Sequence, residues 1–206
     1  MASPKSYSIW QHRIWTIGVG LTLEREVLAA TPPEEVEGEE RPWRSTILEM
    51  ELKLCSKMLM MDERNFHCWN YRKQVVDLYC KEIGERVDGE KAQTTKNAFL
   101  QEECDMAKAI INKNFSNYSA WHYRGKLLPF IKTQAAESAY EYALPLSIIR
   151  EDLELLKHAY FTDPKDQSPW NYHAWLMSLL SPIQVVAVQY IAEKDGKAGF
   201  TIGLSH

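Results

Sequence analysis

Apolar positions recur mostly at intervals of three or four in three stretches of the chain, and each stretch closes in a polar turn. Ile47, Met50, Leu54, Met58 and Met61 form the first, Phe99, Met106, Ile110 and Ile111 the second, and Ile148, Leu153, Leu156 and Tyr160 the third. Such spacing gathers the side chains on one face of an α-helix. The turns are Asp62-Glu63-Arg64-Asn65, Asn112-Lys113-Asn114 and Asp163-Pro164-Lys165-Asp166. A second helix is predicted after each turn. Asn65, Asn117 and Asp166 are N-cap residues, whose side chains accept from free first-turn N–H groups, and Pro169 suits a first helical turn. The unit is therefore helix, turn, helix.

The second helix of each unit opens on a recurring signature: Ser6-Tyr7-Ser8-Ile9-Trp10-Gln11-His12-Arg13, Asn65-Phe66-His67-Cys68-Trp69-Asn70-Tyr71-Arg72, Asn117-Tyr118-Ser119-Ala120-Trp121-His122-Tyr123-Arg124, and Asp166-Gln167-Ser168-Pro169-Trp170-Asn171-Tyr172-His173. The Trp residues stand 59, 52 and 49 positions apart, from 10 to 69, 69 to 121 and 121 to 170. Helical-hairpin repeats usually run about 34 to 47 residues. The excess falls in three polar, Pro- or Gly-bearing stretches, 31–42, 83–96 and 132–145, which are expected to be loop-like inserts. The first copy lacks an opening helix, so a hairpin half is expected upstream of it, because a repeat cannot bury its face alone. Gly18-Val19-Gly20 is taken as the end of the first copy's helix. From Pro182 the character changes. Val185, Val186, Val188, Tyr190 and Ile191 are β-formers, Asp195-Gly196 offers a turn, and Phe200-Thr201-Ile202 resumes. The expected organisation is a repeat domain over 1–181, with about four repeats and the first incomplete. A tail over 182–206 would begin a further β domain.

Bulk composition narrows the setting. Among 206 residues the net charge is −4, without the basic stripe that nucleic-acid binding needs. The acidic run from Glu34 to Glu40 is read as a solvated loop. Cys55, Cys68, Cys80 and Cys104 include no C-x-x-C pair, and three lie in helix-like segments where free thiols act as small hydrophobes. No signal-peptide pattern and no run near the roughly 20 apolar residues of a membrane span is present. The chain reads as cytoplasmic, without a membrane span. Neither HExxH nor a paired Cys/His pattern occurs, so no metal ligands are assigned.

The strings Asp62-Glu63-Arg64-Asn65-Phe66-His67-Cys68-Trp69, Asn114-Phe115-Ser116-Asn117-Tyr118-Ser119 and Phe161-Thr162-Asp163-Pro164-Lys165-Asp166-Gln167-Ser168 resemble the repeats of protein prenyltransferase alpha subunits. Within that family they are most like the Rab geranylgeranyltransferase (type II) branch, over about residues 4 to 180. The resemblance implies an all-α fold, a right-handed superhelical crescent of helical hairpins wrapping a separate beta subunit. That beta subunit would hold the zinc and most of the lipid pocket, leaving this chain without a cofactor and inactive alone. The implied reaction moves geranylgeranyl from geranylgeranyl diphosphate to C-terminal cysteines of Rab GTPases presented by a Rab escort protein. Two alternatives stay open: the alpha subunit shared by farnesyltransferase and type I geranylgeranyltransferase, and a non-catalytic helical-repeat scaffold.

Site candidates come from residues that single copies carry. The resemblance implies that Lys5 and Tyr7 reach the donor's diphosphate, where an ammonium and a phenol can stabilise charge on the leaving group. Without it, Lys5 is a solvated lysine and Tyr7 a packing residue equivalent to Phe66 and Tyr118. His67, with Asn65, is the second candidate for the diphosphate. Other copies carry Ser8, Ser119 and Ser168 at that position, although a turn-lining histidine and a capping asparagine would explain the pair equally. The repeated Trp residues and Arg13, Arg72 and Arg124 are expected to be structural, the arginines satisfying turn carbonyls or carboxylates of the adjacent repeat.

Overall fold

The computed structural model of the chain describes residues 6–30, 42–131, 144–180, 184–191 and 199–205. Lys5, the acidic run 34–40, most of the inserts 31–42 and 132–145, and Asp195-Gly196 lie outside the described residues. In chain order the elements are α1 (Tyr7–Ala30), α2 (Pro42–Met61), α3 (Phe66–Arg86), α4 (Gly89–Lys113), α5 (Tyr118–Leu127) and a 3₁₀ turn (Leu128–Phe130), then α6 (Leu146–Thr162), α7 (Gln167–Leu180), β1 (Gln184–Ile191) and β2 (Gly199–Ser205). The chain divides into two compact units, Met1–Lys132 and Thr133–His206. In the first, α2 pairs with α3 and α4 with α5, while α1 packs on α3. In the second, α6 pairs with α7, and β1 and β2 form an antiparallel ladder from Gln184↔Ser205 to Ile191↔Gly199, irregular between Val185 and Ala187.

The three hairpin turns share one set of hydrogen bonds, dictated by Asp or Asn at fixed offsets. Asp62, Asn114 and Asp163 each accept through the side chain from the backbone N–H two residues on, at 3.2, 3.1 and 3.0 Å. Their carbonyls accept from Asn65, Asn117 and Asp166 N–H. Asn65 Oδ1 then accepts from Cys68 N, and Asn117 Oδ1 from Ala120 N, the N-caps anticipated from sequence. The indole N–H of Trp69, Trp121 and Trp170 donates to the carbonyl six residues back, at 2.8, 2.8 and 3.0 Å. The recurring Trp thus locks the turn that precedes it. Glu63 O also accepts from Asn117 Nδ2, and Glu63 Oε1 from Asn114 Nδ2, so neighbouring turns are laced together.

Three expectations need correction. The buried stripe of α2 is Leu48, Leu52, Cys55 and Leu59, while Met50 and Met61 are 61% and 74% exposed. On α4 it is Leu100, Cys104, Ala107 and Ile111. Apolar spacing alone does not distinguish these faces on α2, because exposed Met50 and Met61 keep the same helical period as the buried leucines. The stretch 83–96 is not a loop: α3 runs to Arg86 and α4 starts at Gly89. Its polar residues occupy the solvent sides of two helices whose other sides bury Glu82, Ile83 and Ala92, and the break is confined to Val87-Asp88, relieved by Gly89 at φ +59°. Finally, α1 continues through Gly18 and Gly20, where a Cβ would meet nothing within 4 Å. Glycine inside a helix costs stability without ending it.

One kind of polar contact recurs between each second helix and the next hairpin in the first unit. Arg72 makes a paired contact to Glu103, Nε to Oε2 at 2.7 Å and Nη2 to Oε1 at 2.6 Å, and Tyr123 Oη donates to the same Oε2 at 2.6 Å. Arg13 and Tyr71 meet Glu51 in the same way, with Arg13 Nε at 3.0 Å, Arg13 Nη2 closer, and Tyr71 Oη at 2.8 Å. The arginines therefore bind carboxylates of the adjacent repeat, and Arg72 and Arg124 also donate to Leu52 O and Cys104 O of their own hairpins. The partners, unread in the sequence, are an acid 18 residues before each Trp (Glu51, Glu103, Asp152) and a Tyr two after it (Tyr71, Tyr123, Tyr172). Tyr172 Oη likewise donates to Asp152. Burial alone would depress the Arg72 guanidinium, but hydrogen bonding to Glu103 and its charge raise it on balance. Burial, then the Glu103 charge, pushes the Tyr123 phenol well up, so it stays a donor. Trp10 and Trp69 also pack their rings on the Tyr of the next repeat, Trp10 on Tyr71 and Trp69 on Tyr123, both at 5.0 Å.

Glu103→Ala leaves Arg72 buried without its counter-charge and should lower urea-unfolding stability by about 3–5 kcal/mol. Lys157→Ala, which removes an exposed pair with Glu154, should change it by less than about 1 kcal/mol. Gly18→Ala, with open space at its Cβ, should raise stability by about 0.5–1 kcal/mol.

Candidate functional site

Tyr7 is the first residue of α1 and His67 the second of α3, and the packing of these helices brings their rings to 5.6 Å at an interplanar angle of 55°. Phe66 lies against His67 at 3.9 Å and 36°. Tyr7 and Phe66 are 60% and 56% exposed, and His67 is half-buried. The pair therefore sits where two helices begin, side by side. Free first-turn N–H groups and the positive dipole ends of both helices favour an anion there, and the phenol and imidazole supply two further donors. Asn65 is placed differently. It is 4% exposed, and its Oδ1 is committed to Cys68 N at 3.2 Å, so it shapes the turn that presents His67. Lys5 precedes the described residues by one position.

A groove of about 740 Å³ opens on the other flank of α3, toward α5. Arg64, Phe66, Asn70 and Lys73 line it from the α3 side and Tyr118, Ser119, His122 and Lys126 from α5, above Trp69 and Tyr123. No carboxylate is among these residues, although the chain's net charge is −4. Tyr118 is 52% exposed and stacks on His122 at 5.8 Å and 20°. Lys73 Nζ bonds Asp77 at 2.6 Å and lies 5.5 Å from the Phe130 ring centroid. No sequence pattern above singles out the groove, yet its signal is there: the residue three before Trp69 and Trp121 is aromatic, and basic residues follow on the same helices. Although His122 is open to solvent, partial desolvation of its ring, and then the Lys126 charge, hold its pKa below the ordinary 6.5.

Among the described residues, no group of three or more His, Cys, Asp or Glu side chains is placed to hold a metal ion, and no helix is long and apolar enough to cross a membrane. Cys55, Cys68 and Cys104 are buried free thiols.

The turn-locking Trp, the capping Asn and the arginine staple define hairpins of one kind, and residues 48–79, 100–131 and 149–180 match the protein prenyltransferase alpha subunit repeat. These three segments are repeats of that class. More particularly, it is similar to the geranylgeranyl transferase type-2 subunit alpha of several organisms. It is 35% identical to that of Rattus norvegicus and 34% to that of Homo sapiens, in each case over 94% of this chain and 27% of the relative. It is 31% identical to that of Saccharomyces cerevisiae over 84% of this chain and 42% of the relative. The chain thus spans about a quarter of the length of the mammalian proteins it matches.

His122 should titrate below 6.5 in a proton NMR titration, and Lys126→Ala should move it part of the way back, since desolvation remains. A histidine less easily protonated folded than unfolded withdraws stability as pH falls below 6.5. Acidification from pH 7 to 5 should therefore destabilise the wild type more than His122→Gln.

Proposed function

We propose that the chain acts as the alpha subunit of a heterodimeric protein prenyltransferase of the geranylgeranyl type II kind. The observation that carries this reading is the meeting of Tyr7 and His67 at the first turns of two packed helices, 5.6 Å apart, in a chain made of prenyltransferase alpha subunit repeats. The names of its relatives favour the type-2 enzyme over the farnesyl and type I branch.

In this reading a substrate thiolate attacks the allylic carbon of geranylgeranyl diphosphate. The sulfur–carbon bond forms as the carbon–oxygen bond breaks, and the diphosphate departs with the bonding electrons. Tyr7 and His67 donate hydrogen bonds to its developing charge and Lys5 adds an ammonium, a form of stabilisation effective when donors are fixed before the charge appears. Asn65 contributes by holding the turn under His67. The protein substrates are Rab-type GTPases with C-terminal cysteines, presented by an escort protein. The zinc and the lipid pocket are assigned to a beta subunit, and the setting is cytoplasmic. The groove between α3 and α5 continues the same exposed edge. Its aromatic floor and cationic rim suit an acidic, partly apolar segment of that beta subunit.

Co-expression with a type-2 beta subunit, followed by transfer of labelled geranylgeranyl to a Rab substrate, tests the reading. Lys5→Ala, Tyr7→Phe and His67→Ala should each assemble normally, and His67→Ala should slow the chemical step by about 10²–10³-fold. Failure of the wild type to assemble, or unimpaired transfer by all three variants, would overturn it.

A further inference from the structure

Two clamps hold α1 against the second hairpin. At its C-terminal end Glu24 accepts from Trp43 Nε1 and from Arg44 of α2, and Arg44 also reaches Glu82 and Glu85 of α3. Nearer its start, Arg13 meets Glu51 of α2, whose Oε2 accepts as well from Tyr71 Oη of α3. One carboxylate therefore ties α1 and α3 to a common point. The two clamped residues of α1 stand 11 positions apart, about 16 Å along a helix. The angle at which α1 carries Tyr7 therefore depends on the contacts nearer its start, this carboxylate and the Trp10 ring on the same Tyr71. Arg13 lies six residues from Tyr7, and Tyr71 four from His67.

The equivalent contact one repeat on is braced differently. The Arg72 side chain is 5% exposed and also donates to Leu52 O and Ser56 Oγ, whereas that of Arg13 is 40% exposed against a Glu51 only 9% exposed. The α1 junction thus leans on Glu51 more heavily than the α3–α5 junction leans on Glu103.

We propose that Glu51 is a positioning residue: by fixing Arg13 and Tyr71 to one carboxylate, it sets the separation of Tyr7 and His67. The structural half of this inference stands alone; its consequence for catalysis rests on the anion-site reading above. A displacement of about 1 Å in a catalytic array can cost about 10²-fold in rate.

The full 206-residue chain tests it by NMR. The two rings are close enough for Tyr7–His67 NOE cross-peaks. Glu51→Ala should abolish them, Glu51→Gln, which keeps the acceptor, should retain them in part, and Arg72→Ala should leave them at wild-type strength. Arg13→Ala removes the same strut from its solvent side and replaces Glu51→Ala if that variant fails to fold. Cross-peaks of wild-type strength in Arg13→Ala or Glu51→Ala, or their equal loss in Arg72→Ala, would overturn the inference. In the assembled enzyme, Arg13→Ala should lower kcat about 10²-fold with the KM for the protein substrate unchanged. Loss of the cross-peaks with unchanged kcat would uphold the positioning role and sink the anion-site reading instead.

Discussion

A carboxylate buried between hairpins, held by an arginine from one side and a tyrosine from the other, is the constraint on which this architecture depends. Glu103 is 5% exposed and Arg72 4% exposed, and two charges taken from water at that depth cost several kcal/mol each unless every polar atom finds a partner. Both oxygens of Glu103 do so, and the third arm of Arg72 reaches Leu52 O and Ser56 Oγ. Apolar helix faces tolerate small sliding, whereas this set of bonds closes in one register alone. The contact thereby selects how one hairpin seats on the next, even where its net contribution to stability is small.

Uniform seating has a consequence for the surface. The same offsets recur around Trp69 and Trp121, so the first turns of successive second helices come to lie in one row. Their aromatic residues three before each Trp, Tyr7, Phe66 and Tyr118, stay more than half exposed. Scaffold and exposed edge are thus separated within a single helical turn: cap, Trp and the residue before the Trp face inward at Asn65, Cys68 and Trp69 and at Asn117, Ala120 and Trp121, while the two positions after each cap lie toward the surface. His67, where another copy has Ser119, is one of these positions; Lys73 and Lys126 add a basic rim beyond the Trp.

The hairpins, their turns and their caps were legible in the chain because they rest on local rules. Asp or Asn at the turn, Asn at the cap and Trp four residues later satisfy one another within eight residues of sequence. The face of α2 is not legible from composition because Met50 and Met61 count as apolar while Glu51, which is buried, does not look like core. The run after Ile83 is ambiguous for the same reason: a polar composition describes the outside of a helix as well as it describes a loop.

Sequence alone determined that this chain carries a series of helical hairpins, that Tyr7 holds a position aromatic in three copies, and that His67 stands where the other copies have serine. These facts follow from comparing copies along one dimension. Only the tertiary structure decided that these two rings meet, that Asn65 turns inward, and that Glu51 joins the helices carrying the pair. Tyr7 and His67 are 60 residues apart in the chain. Their distance is set by how α1 packs on α3, where the Trp10 ring lies on Tyr71 and one buried carboxylate takes three hydrogen bonds from Arg13 and Tyr71.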